Sequence, residues 1–226
     1  MNDYGVQLLY DGHSPEAAVV FKRALKALLD ASVHFGSDAV EKRNADKLII
    51  RTISHRNDHQ VYLKDVAFLC DQTSFFVFKK ALTADTASND NLRGDASRDQ
   101  ISTLLLYNLG LCFHLASAQK VICCQQEFFL KKALKLYCMA SEVTNNLQGI
   151  GAGDILSLAI ANNMGQIHSL FFEKEEVHHC LQSIRLGLDS CRADVFRGFE
   201  SNQDYAIFYM NVLIGQESMM RAAPAA

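Results

Sequence analysis

The sequence predicts a mostly α-helical chain of three antiparallel helix pairs and a C-terminal capping helix, with a small β-hairpin insertion. Three observations predict this fold class. A glycine is followed at 12, 16 and 19 residues by apolar residues near both ends of the chain, so these residues share one helix face. The chain holds only two prolines, and helix-capping sequences precede its apolar runs.

The first predicted helix pair covers residues 2–34. Gly5 is followed by Ala17, Phe21 and Ala24 at 12, 16 and 19 residues, a small, a large and a small residue on one face of the second helix. A serine-proline pair at positions 14 and 15 suits the start of that helix, because serine caps and proline is tolerated in the first turn.

An insertion is predicted at 35–97, because the next glycine of this kind, Gly110, lies as far as 86 residues after Ala24. Three stretches rich in β-branched and aromatic residues, 47–54, 61–70 and 74–78, predict strands, with a hairpin turn at 71–73. The competing prediction is a helix through 73–82, since its phenylalanines and Leu82 also fit a helical face. The polar stretch 83–96 predicts a loop.

The second predicted pair covers 98–147 and repeats the pattern with longer joints. Its first helix contains Gly110, and its second places Ala133, Tyr137 and Ala140 at the small, large and small positions. Gly110 precedes Ala133 by 23 residues rather than 12, so the helices or their turn are longer than in the first pair.

The third predicted pair covers 154–192 and returns to the original spacing. Gly165 is followed by Val177, Leu181 and Ile184 at 12, 16 and 19 residues. The spacing predicts two antiparallel helices joined near residues 172–174.

A solitary amphipathic helix at 203–220 follows the three pairs. Its Asn211-Val212-Leu213 occupies the slot that holds Asn-x-Gly in the second and third pairs, with leucine in place of glycine. A single terminal helix is what a stack of helix pairs needs to cover its last apolar face. The prediction is therefore one domain over residues 1–226.

This spacing resembles the tetratricopeptide repeat (TPR), and the resemblance covers about 110 of the 226 residues. It implies a TPR-like α-solenoid whose first helices line a concave groove. The chain is also similar to TPR-like proteins of diatoms, but this similarity implies no mechanism. The groove residues that the resemblance implies are Tyr107, Asn108, Leu111, His114, Asn162, Asn163, Gln166 and Ser169.

Two of these residues, Asn108 and Asn163, lie two positions before a glycine. They are similar to the asparagines with which peptide-binding repeats hold a ligand backbone. A carboxamide both donates and accepts, so it pairs with an extended chain whatever its side chains are. The competing interpretation is that these amides only bond between helices.

Composition excludes several classes of function. The formal charge of −3 and the scattered basic residues predict no nucleic-acid partner, and no apolar run predicts a membrane span. Seven irregularly spaced cysteines predict a reducing, intracellular compartment, cytoplasmic by default or an organelle if a transit peptide has been removed. The oligomeric state is left open.

No motif predicts catalysis, a metal or a cofactor. The glycines at 149–153 precede a helix but lack the strand and the lysine of a phosphate-binding loop. His178 and His179 are neighbours and point about 100° apart on a helix, which does not suit one metal ion. The vicinal Cys123 and Cys124 are interpreted as a turn near solvent rather than a redox pair.

The sequence therefore predicts a non-catalytic protein–protein interaction module, an adaptor, scaffold or assembly factor that binds a partner peptide or helix in its groove. The alternative is a permanent structural subunit of a large complex that uses the 35–97 insertion or the convex face. An enzyme on a helical scaffold is the third hypothesis.

Overall fold

The computed structural model describes residues 1–34, 49–52, 77–85, 98–119, 122–146, 154–195 and 203–222. Within these ranges the chain is mostly helical, with seven helices packed as sequential antiparallel pairs. They are α1 (Asn2–Tyr10), α2 (Ser14–His34), α3 (Arg98–Ala118), α4 (Cys123–Asn146), α5 (Ile155–Leu170), α6 (Lys174–Val195) and α7 (Gln203–Ala222). The predicted helices are thus present, and their ends differ from the predictions by a few residues.

Two short strands, β1 (Ile49–Thr52) and β2 (Leu82–Asp85), pair with each other, and the described residues form no larger sheet. Strand β1 lies inside the predicted stretch 47–54. Strand β2 lies mostly within the predicted loop 83–96, which is therefore wrong at 83–85. Residues 77–81 are neither helix nor strand, so the competing helix is wrong over that part and the predicted strand 74–78 is wrong at 77–78. The predicted strand 61–70, the turn 71–73 and the start of 74–78 lie outside the described residues.

The chain divides into two compact units, each assembled from two separate parts of the sequence. The first unit comprises Met1–Arg51 with Ala81–Ile150, and the second comprises Thr52–Lys80 with Gly151–Ala226. In the first unit α1 packs on α2, α2 on α3, and α3 on α4. In the second unit α5 packs on α6, and α7 contacts both.

The glycine-to-apolar pattern corresponds to close helix contacts in the first unit. A Cβ atom on Gly5 would lie 2.6 Å from Cε1 of Phe21, and one on Gly110 would lie 2.8 Å from Cε1 of Tyr137. Both distances are below ordinary van der Waals separation, so the aromatic ring occupies the space that a side chain would need. The small residues that flank each ring, at 17 and 24 and at 133 and 140, are buried.

In the second unit, the corresponding residues of α6 are aliphatic. Leu181 and Ile184 are buried, and Val177 is half-buried. The glycine of α7 that meets α6 is Gly215, whose Cβ would overlap the Leu181 side chain. Leu213, which the pattern places in the glycine slot, is 59% exposed instead, so the close-packing residue follows Asn211 by four positions rather than two.

Helix α3 is long and apolar, and most of it is buried. Its stretch Asp99–Ala118 is long and apolar enough to cross a membrane by length and composition, and 67% of its most apolar part is buried inside the fold. A core helix passes the same test, because burial against other helices also selects apolar residues on most faces. We therefore describe α3 as a core helix of the first unit.

Candidate functional site

Residues 77–83, called the internal segment below, belong to both units: 77–80 are part of the second unit and 81–83 are part of the first. Phe78 and Leu82 are 0% exposed, whereas Lys79 between them is exposed. In extended backbone, a residue's N–H and C=O point to the same side, and a buried pair needs partners. The internal segment is not part of a helix, so those partners must come from elsewhere.

In the first unit, the side chain of Asn108 supplies both partners for Leu82. Its Oδ1 accepts a hydrogen bond from the Leu82 amide nitrogen at 3.0 Å, and its Nδ2 donates to the Leu82 carbonyl oxygen at 2.8 Å. One carboxamide therefore satisfies the N–H and the C=O of one residue, as a neighbouring strand would. We call this arrangement the Leu82 clamp.

Asn2 on α1 completes the Leu82 clamp. The second Nδ2 proton of Asn108 is donated to Asn2 Oδ1 at 3.0 Å, and Asn2 Nδ2 donates to the Leu82 carbonyl oxygen at 3.3 Å. These bonds leave one orientation for the Asn108 amide, because exchanging its oxygen and nitrogen would place two donors against each other. The amide is thus held in the orientation that binds a backbone.

In the second unit, Asn163 on α5 holds Phe78 in the same way. Its Oδ1 accepts from the Phe78 amide nitrogen at 2.8 Å, and its Nδ2 donates to the Phe78 carbonyl oxygen at 3.0 Å. We call this arrangement the Phe78 clamp. Each of the two asparagines that the sequence singled out therefore holds the backbone of one residue.

A row of amides orients the Phe78 clamp. Asn162 Nδ2 donates to Asn163 Oδ1 at 3.3 Å, and Asn211 Nδ2 on α7 donates to Asn162 Oδ1 at 2.5 Å. All three asparagines are 0% exposed. Because buried amides are costly when unpaired, this row fixes the orientation of Asn163.

The side chain of Phe78 lies in an aromatic pocket built by α7. Its ring centroid is 5.0 Å from that of Phe208, which is also fully buried, and Tyr205 meets Phe208 edge-on at 6.2 Å. Such offset aromatic pairs contribute about 0.5–1.5 kcal/mol beyond the burial of their area. Helix α7 therefore supplies both the pocket for the ring and an amide that supports the clamp.

The other predicted groove residues are placed differently. Tyr107 and His114 face the second helix of their own pair: the Tyr107 ring lies 5.9 Å from that of Tyr137, and the Tyr137 hydroxyl is 3.4 Å from His114 Nδ1. Leu111 and Gln166 are buried, and Ser169 is half-buried. Of the eight residues, the structure shows Asn108 and Asn163 on the internal segment and Asn162 supporting one of them.

Sequence reasoning did not identify the internal segment or the supporting amide of Asn2. The sequence gives little indication of the internal segment, because the hydrogen bonds of each clamp go to backbone atoms and require no particular side chain. Asn2 carries one signal, since it lies three residues before Gly5 at the start of the first pair.

Groups suited to metal or redox chemistry are scattered in the described ranges. No cluster of three or more His, Cys, Asp or Glu side chains is found among those residues. His178 and His179 are exposed, and Cys123 and Cys124 are exposed at the start of α4 rather than in a turn. The glycine stretch 149–153 lies outside the described residues.

Burial raises the pKa of the Cys112 thiol on α3 from 9.0 to about 12. Between these values the unfolded thiol loses its proton while the folded one keeps it, so we expect stability to fall as pH rises from 9 toward 12. The slope is at most about 1.4 kcal/mol per pH unit. Urea unfolding at pH values of about 7.5, 9.5 and 10.5, on either side of the unfolded pKa, measures it, and Cys112→Ser removes this contribution. Identical pH profiles for the two proteins would contradict the prediction.

Comparison with known proteins gives no match: no protein-family model, no curated protein and no solved structure is significantly similar to this chain. The candidate site therefore stands on the geometry of the described residues, and the likeness to TPR proteins stays an expectation from the sequence.

Proposed function

We propose that this protein is a non-catalytic interaction module in which the Asn108 carboxamide of the first unit and the Asn163 carboxamide of the second each bind an extended segment of a partner protein. The observation that carries the proposal is the bidentate pairing of each amide with the backbone of one extended residue. An amide presented in this way suits a polypeptide, because a peptide backbone offers a donor and an acceptor at this spacing. The ligand class is therefore a peptide segment.

The fold that we propose for this function is a TPR-like helical repeat. Its support is the small, large and small arrangement on the second helix of the first two pairs, with a glycine of the first helix against the large residue. In such repeats the first helices carry the binding residues, and Asn108 and Asn163 lie on the first helices of their pairs, α3 and α5.

The clamps give modest affinity by themselves. Each net hydrogen bond contributes about 0.5–1.5 kcal/mol, so two bonds per clamp cannot support tight binding without apolar contacts. The aromatic pocket around Phe208 in the second unit is the described feature that would add such contacts. We therefore expect binding to depend on both the amides and a large apolar side chain of the partner.

The test is selection of short peptides from a random display library on the wild-type protein. The selected peptides are then titrated against Asn108→Ala, Asn163→Ala and the matched control Asn145→Ala, which replaces an exposed asparagine on α4. We expect the first two variants to lose at least about tenfold in affinity, since about 1.4 kcal/mol is a factor of ten, and the control to be unchanged. Circular dichroism verifies that each variant is folded. Equal loss in all three variants, or in none, would contradict the proposal.

A second candidate function is a permanent subunit that uses exposed apolar residues elsewhere. Phe128 is 53% exposed near the start of α4 and lines a shallow depression together with Cys124 and Phe129, and Ile122 just before the helix is 55% exposed. Phe172 is 88% exposed at the turn between α5 and α6 and has φ of +60°, which is unusual for a bulky residue. Exposed aromatic residues favour interfaces.

If this second function holds, Phe128→Ser should reduce self-association or partner capture while the Asn108 and Asn163 variants do not.

A further inference from the structure

We infer that the internal segment, residues 77–83, is a built-in ligand: it occupies each clamp as a partner segment would, and a partner must displace it to bind. This inference rests on the proposed function, because it assigns to the same amides both an internal and an external ligand. It also identifies the kind of partner at each clamp: a segment with an aromatic residue at the Phe78 clamp, and a segment with a branched aliphatic residue at the Leu82 clamp.

Occupancy of the clamps is the first step. Asn163 Oδ1 already accepts from the Phe78 amide and from Asn162, and its Nδ2 already donates to the Phe78 carbonyl oxygen. A carboxamide oxygen has two lone pairs, so no acceptor remains on Asn163 for a second backbone. An external segment can therefore use this clamp only when Phe78 has left it.

The side-chain requirement is the second step. Phe78 is fully buried against Phe208, so the position next to the Asn163 amide accepts a flat ring. Leu82 is fully buried next to the Asn108 amide, so that position accepts a branched aliphatic group. Lys79 is exposed, and a partner residue in its place is not constrained by burial. We therefore expect partner segments to carry side chains similar to those of Phe78 and Leu82 at the corresponding positions.

Competition is the third step. A segment of the same chain binds its site intramolecularly, so it competes with an external peptide at an effective concentration rather than at the protein concentration. The apparent affinity for an external peptide falls in proportion to the fraction of protein whose clamps are free. Weakening the internal segment should therefore raise the affinity for an external copy of the same sequence.

The experiment uses the full chain and a fluorescein-labelled peptide VFKKALT, which copies residues 77–83. Fluorescence anisotropy compares the wild type with Phe78→Ala/Leu82→Ala, called the opened variant. We expect the opened variant to bind the peptide at least tenfold more tightly. A peptide N-methylated at its phenylalanine loses the proton donated to Asn163 and should bind weakly. A peptide N-methylated at its valine, which copies the half-buried Val77 that neither clamp holds, is the matched control.

The outcomes separate the two proposals. If the opened variant distinguishes the methylated peptides but binds no more tightly than the wild type, the clamps bind peptide and the built-in ligand inference is wrong. If the opened variant binds both methylated peptides equally, the clamp itself is not the recognition element and the proposed function fails. Absence of binding by a folded opened variant overturns both.

A measurement on the wild type covers the case in which the opened variant does not fold. Hydrogen exchange of the Phe78 and Leu82 amides is followed with and without a millimolar excess of unlabelled VFKKALT. Displacement exposes these two amides while the peptide takes their place, so their exchange should accelerate at least severalfold, and the helix amides of α3 and α5 should be unaffected. Unchanged exchange at the highest peptide concentration overturns the inference.

Discussion

Replacing Asn163 by leucine is expected to lower the free energy of unfolding by about 2–6 kcal/mol, because two buried backbone groups would lose their partners at about 1–3 kcal/mol each. The groups are the amide nitrogen and the carbonyl oxygen of Phe78, both bonded to the Asn163 side chain. Leucine has a similar shape and can bond to neither. Urea denaturation followed by circular dichroism measures the change.

The control for this prediction is Asn145→Leu on α4, an exposed position, where the expected change is within about 0.5 kcal/mol. A loss below about 1 kcal/mol for Asn163→Leu would mean that water or another group replaces the amide. The Phe78 clamp would then contribute little to stability.

Truncating Tyr137 to alanine is expected to cost about 3–5 kcal/mol, the usual range for removing a buried aromatic ring. Tyr137 is fully buried and lies against Gly110, where no side chain is present to fill the space. Its ring also contacts the rings of Tyr107 and His114, with centroids 5.9 and 6.0 Å away. The cavity would therefore be bounded by two helices that cannot close it easily.

Two further variants separate the ring from the hydroxyl. Tyr137→Phe keeps the ring and removes the hydroxyl, whose oxygen lies 3.4 Å from His114 Nδ1, so its expected cost is about 1 kcal/mol. Tyr209→Ala removes a tyrosine that is 38% exposed on α7 and should cost far less than Tyr137→Ala. Thermal unfolding of the three variants tests this order, and an equal cost for Tyr137→Ala and Tyr209→Ala would contradict it.

The helices were predictable because their packing depends on side-chain spacing. A glycine on the first helix and spaced Ala, Phe or Tyr, and Ala residues on the second form a recognisable sequence pattern, since the ring of Phe21 or Tyr137 needs a glycine opposite it. The pattern failed at α7, where it places Leu213 in the slot that Gly215 fills. The residue of α6 that faces α7 there is Leu181, whose flexible side chain packs against Gly215, two positions further along α7.

The sequence predicted the two asparagines of the clamps but not the segment that they hold. Asn108 and Asn163 could be found because their position before a glycine repeats. The segment that they hold could not, because hydrogen bonds to backbone place no demand on sequence and its Phe78 and Leu82 fit a helix equally well. Asn2 and Asn211 each have a local sequence feature, but their pairing with Asn108 and Asn162, 106 and 49 residues away, leaves no local pattern.

The division of each unit between two parts of the sequence has a consequence for synthesis on the ribosome. Residues 52–80 belong with residues that follow position 150, and Phe78 precedes Asn163 by 85 residues. At about 5–20 residues per second, the nascent chain carries Phe78 for roughly 4–17 s before its asparagine exists. During that time α3 and α4 emerge and can pack in the first unit. Phe78 is meanwhile available to chaperones, and a chain that stops near residue 150 would keep it so.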